Sequence, residues 1–103
     1  MGKNSNLKQL ARFMALAVAH KIGQLMNLNA IYAEKYEKEY KNFMEQAKNI
    51  KSRENWNNAN KEEIKKEVKS ETIKELKRKS HIDDKKFDIM DNEIALSLKE
   101  LGF

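Results

Sequence analysis

No proline interrupts this chain of 103 residues, and its only glycines are Gly2, Gly23 and Gly102. A backbone without breakers is held to long helices, so the class expected is all-α. Apolar residues recur at three- and four-residue steps along most of the length, which places them on single helical faces. The expected architecture is one small four-helix domain: two helical hairpins packed around an apolar N-terminal helix. Its helices cover about residues 5–27, 30–51, 61–79 and 84–101, with a loop at 52–60.

The first helix carries Leu7, Leu10, Ala11, Met14, Val18, Ile22 and Leu25 on one stripe. Phe13, Leu16 and Met26 fall off that stripe, so the helix is apolar most of the way round and belongs at the centre of the fold. Asn29 is the expected cap of the second helix, whose stripe is Tyr32, Tyr36, Tyr40, Phe43, Ala47 and Ile50. The run Asn55 to Asn60 is the clearest loop, since asparagine favours turns and caps over helix interiors. Asn60 and Glu63 stand at capping-box spacing before the third stripe, Ile64, Val68, Thr72, Ile73 and Leu76. Asp83 or Asp84 is expected to open the fourth helix, with Phe87, Met90, Ile94, Leu98 and Leu101 inward and Gly102 as terminator.

Charge divides the chain unevenly. The first 33 residues hold no acid, while the remainder is a Lys/Glu-rich polyelectrolyte; 36% of all residues are charged and the net charge is +5. With a mean hydropathy of -0.88, apolar burial barely offsets chain entropy, so packing against a partner or another copy is expected. Arginine occurs only at 12, 53 and 78. Lysine grips phosphate and base edges less specifically than arginine, so the composition favours diffuse anion contact over sequence reading. Lysine and asparagine abundance suits an AT-rich genome of a microbe, a phage or another mobile element.

No cysteine is present, which removes disulfides, zinc-thiolate sites and thiol catalysis and makes the cytoplasm, or the interior of an assembled particle, the expected location. The apolar run from Phe13 to Ala19 is too short for a signal sequence or a membrane span, and no membrane association is expected. His20 and His81 lack the spacing of metal ligands. His20 reads as a packing histidine, and His81 beside Ser80 and Asp83 as part of a helix-capping loop. Asp83, Asp84, Asp88 and Asp91 lack the glycine and spacing of a calcium loop. With no phosphate loop and no nucleophile elbow, the expectation is a protein that is not an enzyme, with no cofactor, no metal and no small-molecule substrate.

Two binding readings remain. The first is an assembly or adaptor protein that acts through protein–protein contacts and self-associates by apolar surface left over on the first and fourth helices. Its contact residues are Phe13, Leu16, Ile89 and Leu96, with Trp56 as an anchor. The second rests on Ala19 followed four residues later by Gly23, with Val18 and Ile22 before each. Over Ala19 to Tyr32 this resembles, in degenerate form, the DNA-binding helix-turn-helix family. The resemblance implies that the second helix enters the major groove with Ile31, Tyr32 and Lys35 nearest the bases and Lys38 and Lys41 on phosphates. A diffuse lysine surface is the other route to nucleic acid, drawing on Lys21 and on Lys77, Arg78 and Lys79 at the end of the third helix.

Overall fold

The structure is a computed structural model that describes residues 2–26, 30–79 and 84–103, the side chains of 30–32 excepted. Four helices follow in order: α1 (Lys3–Met26), α2 (Ala30–Lys51), α3 (Asn58–Arg78) and α4 (Lys86–Leu101). Helix α1 packs against all three others, α4 also meets α2 and α3, and α2 and α3 make no helix-to-helix contact among the described residues. Contacts run from Gly23 against Tyr36 to Asn6 against Glu54, so α1 and α2 are antiparallel. Lys86 against Lys79 and Asp91 against Lys69 make α3 and α4 antiparallel as well. The result is the all-α domain of two hairpins around an apolar first helix that the periodicity called for.

Burial follows the predicted stripes in part: Tyr36, Tyr40 and Phe43 of α2, Ile73 of α3 and Phe87 of α4 are only half-buried, and Met44, which the α2 stripe left out, is enclosed. Leu7, Leu10, Ala11, Met14, Val18 and Ile22 of α1 are enclosed, and so are Ala15, Ala17 and Ala19, which lie off the stripe. Leu25 departs from the expectation: it is 53% exposed, while Gly23 and Met26 of the same turn are turned to the core. Helix α2 contributes Met44, Ala47 and Ile50, α3 contributes Ile64, Val68 and Leu76, and α4 contributes Met90, Ile94, Leu98 and Leu101. Thr72 is wholly buried within α3, and its hydroxyl donates to the Val68 carbonyl at 2.6 Å, so its polar atom is satisfied inside its own helix.

The ends of the helices carry the main corrections. Asn57, not Asn60, caps α3: its backbone is extended at φ -87° and ψ 176°, and its side chain accepts from the Asn60 N–H at 2.8 Å. Asn60 returns the contact by accepting from the Asn57 N–H at 3.2 Å, a capping box built from two asparagines. The helix therefore starts at Asn58 and the connection is shorter than expected. Helix α4 begins at Lys86 with no side-chain cap; Asp84 supplies only its carbonyl, to the Phe87 N–H at 3.1 Å. The expected cap at Asn29 and the residues Ser80, His81, Ile82 and Asp83 lie outside the described residues.

Gly23 sits inside α1, where a Cβ would lie 3.1 Å from the Tyr36 ring. Its function is to let α2 approach, and the turn that a helix-turn-helix requires at this glycine is absent. Gly102 is the terminator anticipated, at φ 95°. Its N–H reaches the Lys99 carbonyl at 3.0 Å and the Phe103 N–H reaches Leu98 at 2.8 Å, the paired bonds of a Schellman motif.

Because α1 is shared by every interface, truncating it should cost more than truncating a cap. Leu10→Ala, at a position with no solvent exposure, is expected to lose about 2–5 kcal/mol, and Asn57→Ala about 1 kcal/mol. Urea denaturation followed by helical circular dichroism measures both. Equal losses would contradict the central role of α1.

Candidate functional site

Polar side chains with chemical potential are first of all structural. On the α1–α2 seam, His20 Nδ1 lies 2.6 Å from the Leu16 carbonyl and Nε2 contacts the Glu39 carboxylate, so both ring nitrogens face acceptors. The ring stands against Phe43 at 5.2 Å and edge-on to Tyr36 at 5.7 Å, while Phe13 stacks on Phe43 at 6.3 Å. His20 is thus a packing histidine with its polar atoms engaged. Arg12 on α1 pairs with Glu71 at 3.1 Å and Glu75 at 3.5 Å, and Arg78 closes on Glu75 at 3.0 Å, which ties α1 to α3. Lys86 is buried, and its ammonium donates to the Lys79 carbonyl at 2.7 Å, meeting the negative end of α3 where the chain turns into α4.

A second polar cluster joins α2 to α4. The Tyr40 hydroxyl donates to Glu100 at 2.5 Å, Ser97 hydrogen-bonds to it, and Lys21 of α1 lies 5.5 Å from its ring centre. The phenol is pushed up to about 12, first by burial, then by its bond to Glu100, with the Glu100 and Glu93 charges adding to the rise. Helical pitch puts Glu93, Ser97 and Glu100 on one face of α4. That face is polar and turned to α2.

Of the five apolar residues expected at an interface, four are at least half taken up by the fold. Phe13 packs on α2, Leu16 is half-buried, and Ile89 leans on the core. Trp56 pins the α2–α3 connection: its indole N–H donates to the Lys51 carbonyl at 2.8 Å, and its ring meets Phe103 edge-on at 6.4 Å. Leu96 alone of the five is largely open, at 53% exposure. Among the seven cations expected to meet nucleic acid, Lys35 pairs with Glu39 at 4.0 Å, Lys41 with Glu37 at 3.5 Å and Arg78 with Glu75. Lys21 lies over Tyr40 and Lys79 over Tyr36, each at 5.5 Å, and Lys38 and Lys77 stand exposed. The fold brings Lys79 and Lys21 over Tyr36 and Tyr40, one turn apart on α2.

Two open cavities lie at the α4 end of the bundle, and Trp56 apart their lining residues were not among the predicted sites. One, about 590 Å³, is a trough between α3 and α4 with Ile94, Ala95, Leu98 and Phe103 as its apolar wall. Lys65 and Lys69 of α3 and Lys99 of α4 stand at its edges, with Asp91 paired to Lys69 at 3.4 Å. The other, about 560 Å³, is a corner where Trp56 and Phe103 meet Lys48, Lys51 and Lys61. Phe103 walls both, and it is placed there by the Schellman turn at Gly102. The walls come from separate elements, so no local sequence pattern announces them; the only signal is lysine at 61, 65 and 69, one helical turn apart on a single face of α3.

Among the described residues, no group of three or more His, Cys, Asp or Glu side chains converges to hold a metal, and no helix is long and apolar enough to cross a membrane. The chain is therefore placed by its fold, an all-α four-helix bundle. No family model matches it, and neither a curated protein nor a solved structure shows significant similarity to it.

The Tyr40 cluster carries its own check. A phenol whose folded value lies above its unfolded one contributes stability that is fully present below pH 10 and is lost as pH rises toward about 12. Tyr40 should therefore ionise after an exposed tyrosine in a phenolate absorbance titration, and Tyr40→Phe should remove the late fraction. A titration with no late component would show that the Glu100 contact does not hold the proton.

Proposed function

We propose that the protein is a non-enzymatic assembly protein that self-associates through the outer strip of α4. The observation that carries this reading is Leu96, 53% exposed on a helix whose Leu98 and Leu101 are enclosed. An exposed leucine alone is ordinary. What supports an interface is its setting: Asn92 one turn before it is uncharged, and Lys99 and Glu100 one turn after it cancel. Two copies can therefore lay these strips together antiparallel without like charges meeting, as an isologous two-fold contact requires.

Size sets the strength. Sixteen residues make α4 about 24 Å long. A strip one helix wide covers far less than the roughly 800 Å² per partner of a stable complex. Association is accordingly weak and concentration-dependent, suited to an assembly in which many copies or additional partners add contacts. The engagement of His20 and Tyr40 in holding helices together also favours binding over catalysis for this fold.

Sedimentation velocity between about 5 µM and 500 µM tests the reading, a range that brackets a weak dimer. The parent chain is expected to shift from monomer toward dimer. Leu96→Ser is expected to remain monomeric while its stability changes by no more than about 0.5 kcal/mol, as for other exposed sites. A parent chain that stays monomeric throughout overturns self-association.

A further inference from the structure

We infer that the trough between α3 and α4 is a docking site for an acidic amphipathic helix from a different protein. This goes beyond self-association through Leu96, because it concerns the neighbouring flank of α4 and a different occupant. The trough has the two features such a helix needs. Its wall is aliphatic and aromatic, from Ile94, Ala95, Leu98 and Phe103, and it is open along its length, so a row of side chains can enter from outside. Its edges carry Lys65, Lys69 and Lys99 against a single acid of the lining, Asp91; Lys65 is paired with Glu62 and Lys69 with Asp91 through exposed side chains, and Lys99 makes no ion pair among the described residues.

Charge selects the occupant. A second copy of this chain finds an uncharged contact at the Leu96 strip, whereas at the trough it would set its lysine-rich helices against a positive edge. A nucleic-acid strand satisfies the lysines but finds one ring to stack on, Phe103, where successive bases need several, since Ile94, Ala95 and Leu98 offer no aromatic face. A helix with apolar residues at i, i+3 and i+7 and glutamates beside them satisfies both. From Asp91 to Lys99 the trough follows about 12 Å of α4, which accommodates about two turns of such a helix. The lysine stems add apolar cover while their ammonium groups reach the flanking carboxylates.

The test uses the full chain carrying Leu96→Ser, so that self-association does not compete and its failure is scored separately by mass. The probe is a fluorescein-labelled peptide of about four helical turns with leucine at i, i+3 and i+7 and glutamate on its flanks. Binding is read by anisotropy at about 50 mM and 300 mM salt, two conditions that separate screened from contact electrostatics. Micromolar binding is expected. It should weaken by about tenfold or more in Lys65→Gln/Lys69→Gln/Lys99→Gln and in Ala95→Glu, which sets a like charge in the trough at an exposed helix position. The same leucines flanked by lysine should not bind.

Three outcomes overturn the proposal. One is no binding of the acidic helix at about 100 µM and low salt. Another is equal binding of a peptide with the same composition in scrambled order, which would reduce the effect to diffuse charge. The last is displacement of the peptide by a DNA duplex at equal charge concentration, which would make the trough a nucleic-acid surface. Circular dichroism of each variant confirms that the helices are intact.

Discussion

Every interface of the bundle depends on α1 being apolar nearly all the way round. A helix that must be covered on three sides cannot be satisfied by one hairpin partner, so α2, α3 and α4 are each recruited to it. Its covering is close because so much of its surface is small: Ala11, Ala15, Ala17, Ala19 and Gly23 leave room for neighbouring side chains, and Gly23 admits the Tyr36 ring directly. With α1 enclosed, α2 and α3 make no helix-to-helix contact among the described residues, and only the C-cap lysine of α3, Lys79, reaches over Tyr36 of α2. That separation leaves α4 as the helix that closes the bundle, touching both.

The charged shell is secondary to this in energy and primary in specificity. Pairs such as Lys41–Glu37 and Lys65–Glu62 are exposed and contribute about 0–1 kcal/mol each. The pairs that link helices have a different effect, because they fix how α1 is rotated against its neighbours. Arg12 can meet Glu71 and Glu75 only when one face of α1 is turned to α3, and His20 can meet Glu39 only when another is turned to α2. The first 33 residues have no acid of their own, so Arg12 and His20 meet carboxylates on α3 and α2, while Lys3 and Lys21 lie over the rings of Trp56 and Tyr40. The uneven distribution of charge along the chain is in this way converted into a defined packing.

The helices were legible in the sequence because periodicity and the lack of breakers are properties of single segments. Gly102 was legible for the same reason: a lone glycine after an apolar stripe has one common use. The start of α3 was not, since Asn57, Asn58 and Asn60 are chemically equivalent as caps, and the choice fell to whichever residue held an extended backbone. Lys86 was missed because a charged residue in sequence gives no sign that its ammonium ends on a carbonyl seven residues earlier. The expected interface was only partly legible. Helical pitch shows that Ile89 and Leu96 share a face of α4, but whether neighbouring elements reach far enough to cover one and not the other is a tertiary fact. Gly23 shows the reverse failure, where a residue type suggested a turn and close packing was the reason for it.

The two flanks of α4 differ in charge for a reason rooted in its neighbours. Toward α2 the helix presents Glu93, Ser97 and Glu100, of which Ser97 and Glu100 are hydrogen-bonded to the Tyr40 hydroxyl. Toward α3 it faces a helix whose exposed side is a ladder of lysines, so the cleft between them inherits a positive edge from α3 and an apolar wall from α4. Neither helix alone has both features. The Schellman turn at Gly102 then folds Phe103 back into that cleft, where its ring also braces Trp56 at the start of α3. A single glycine thus couples the end of α4 to the α2–α3 connection, and the shape of the trough is fixed by the same contacts that close the bundle.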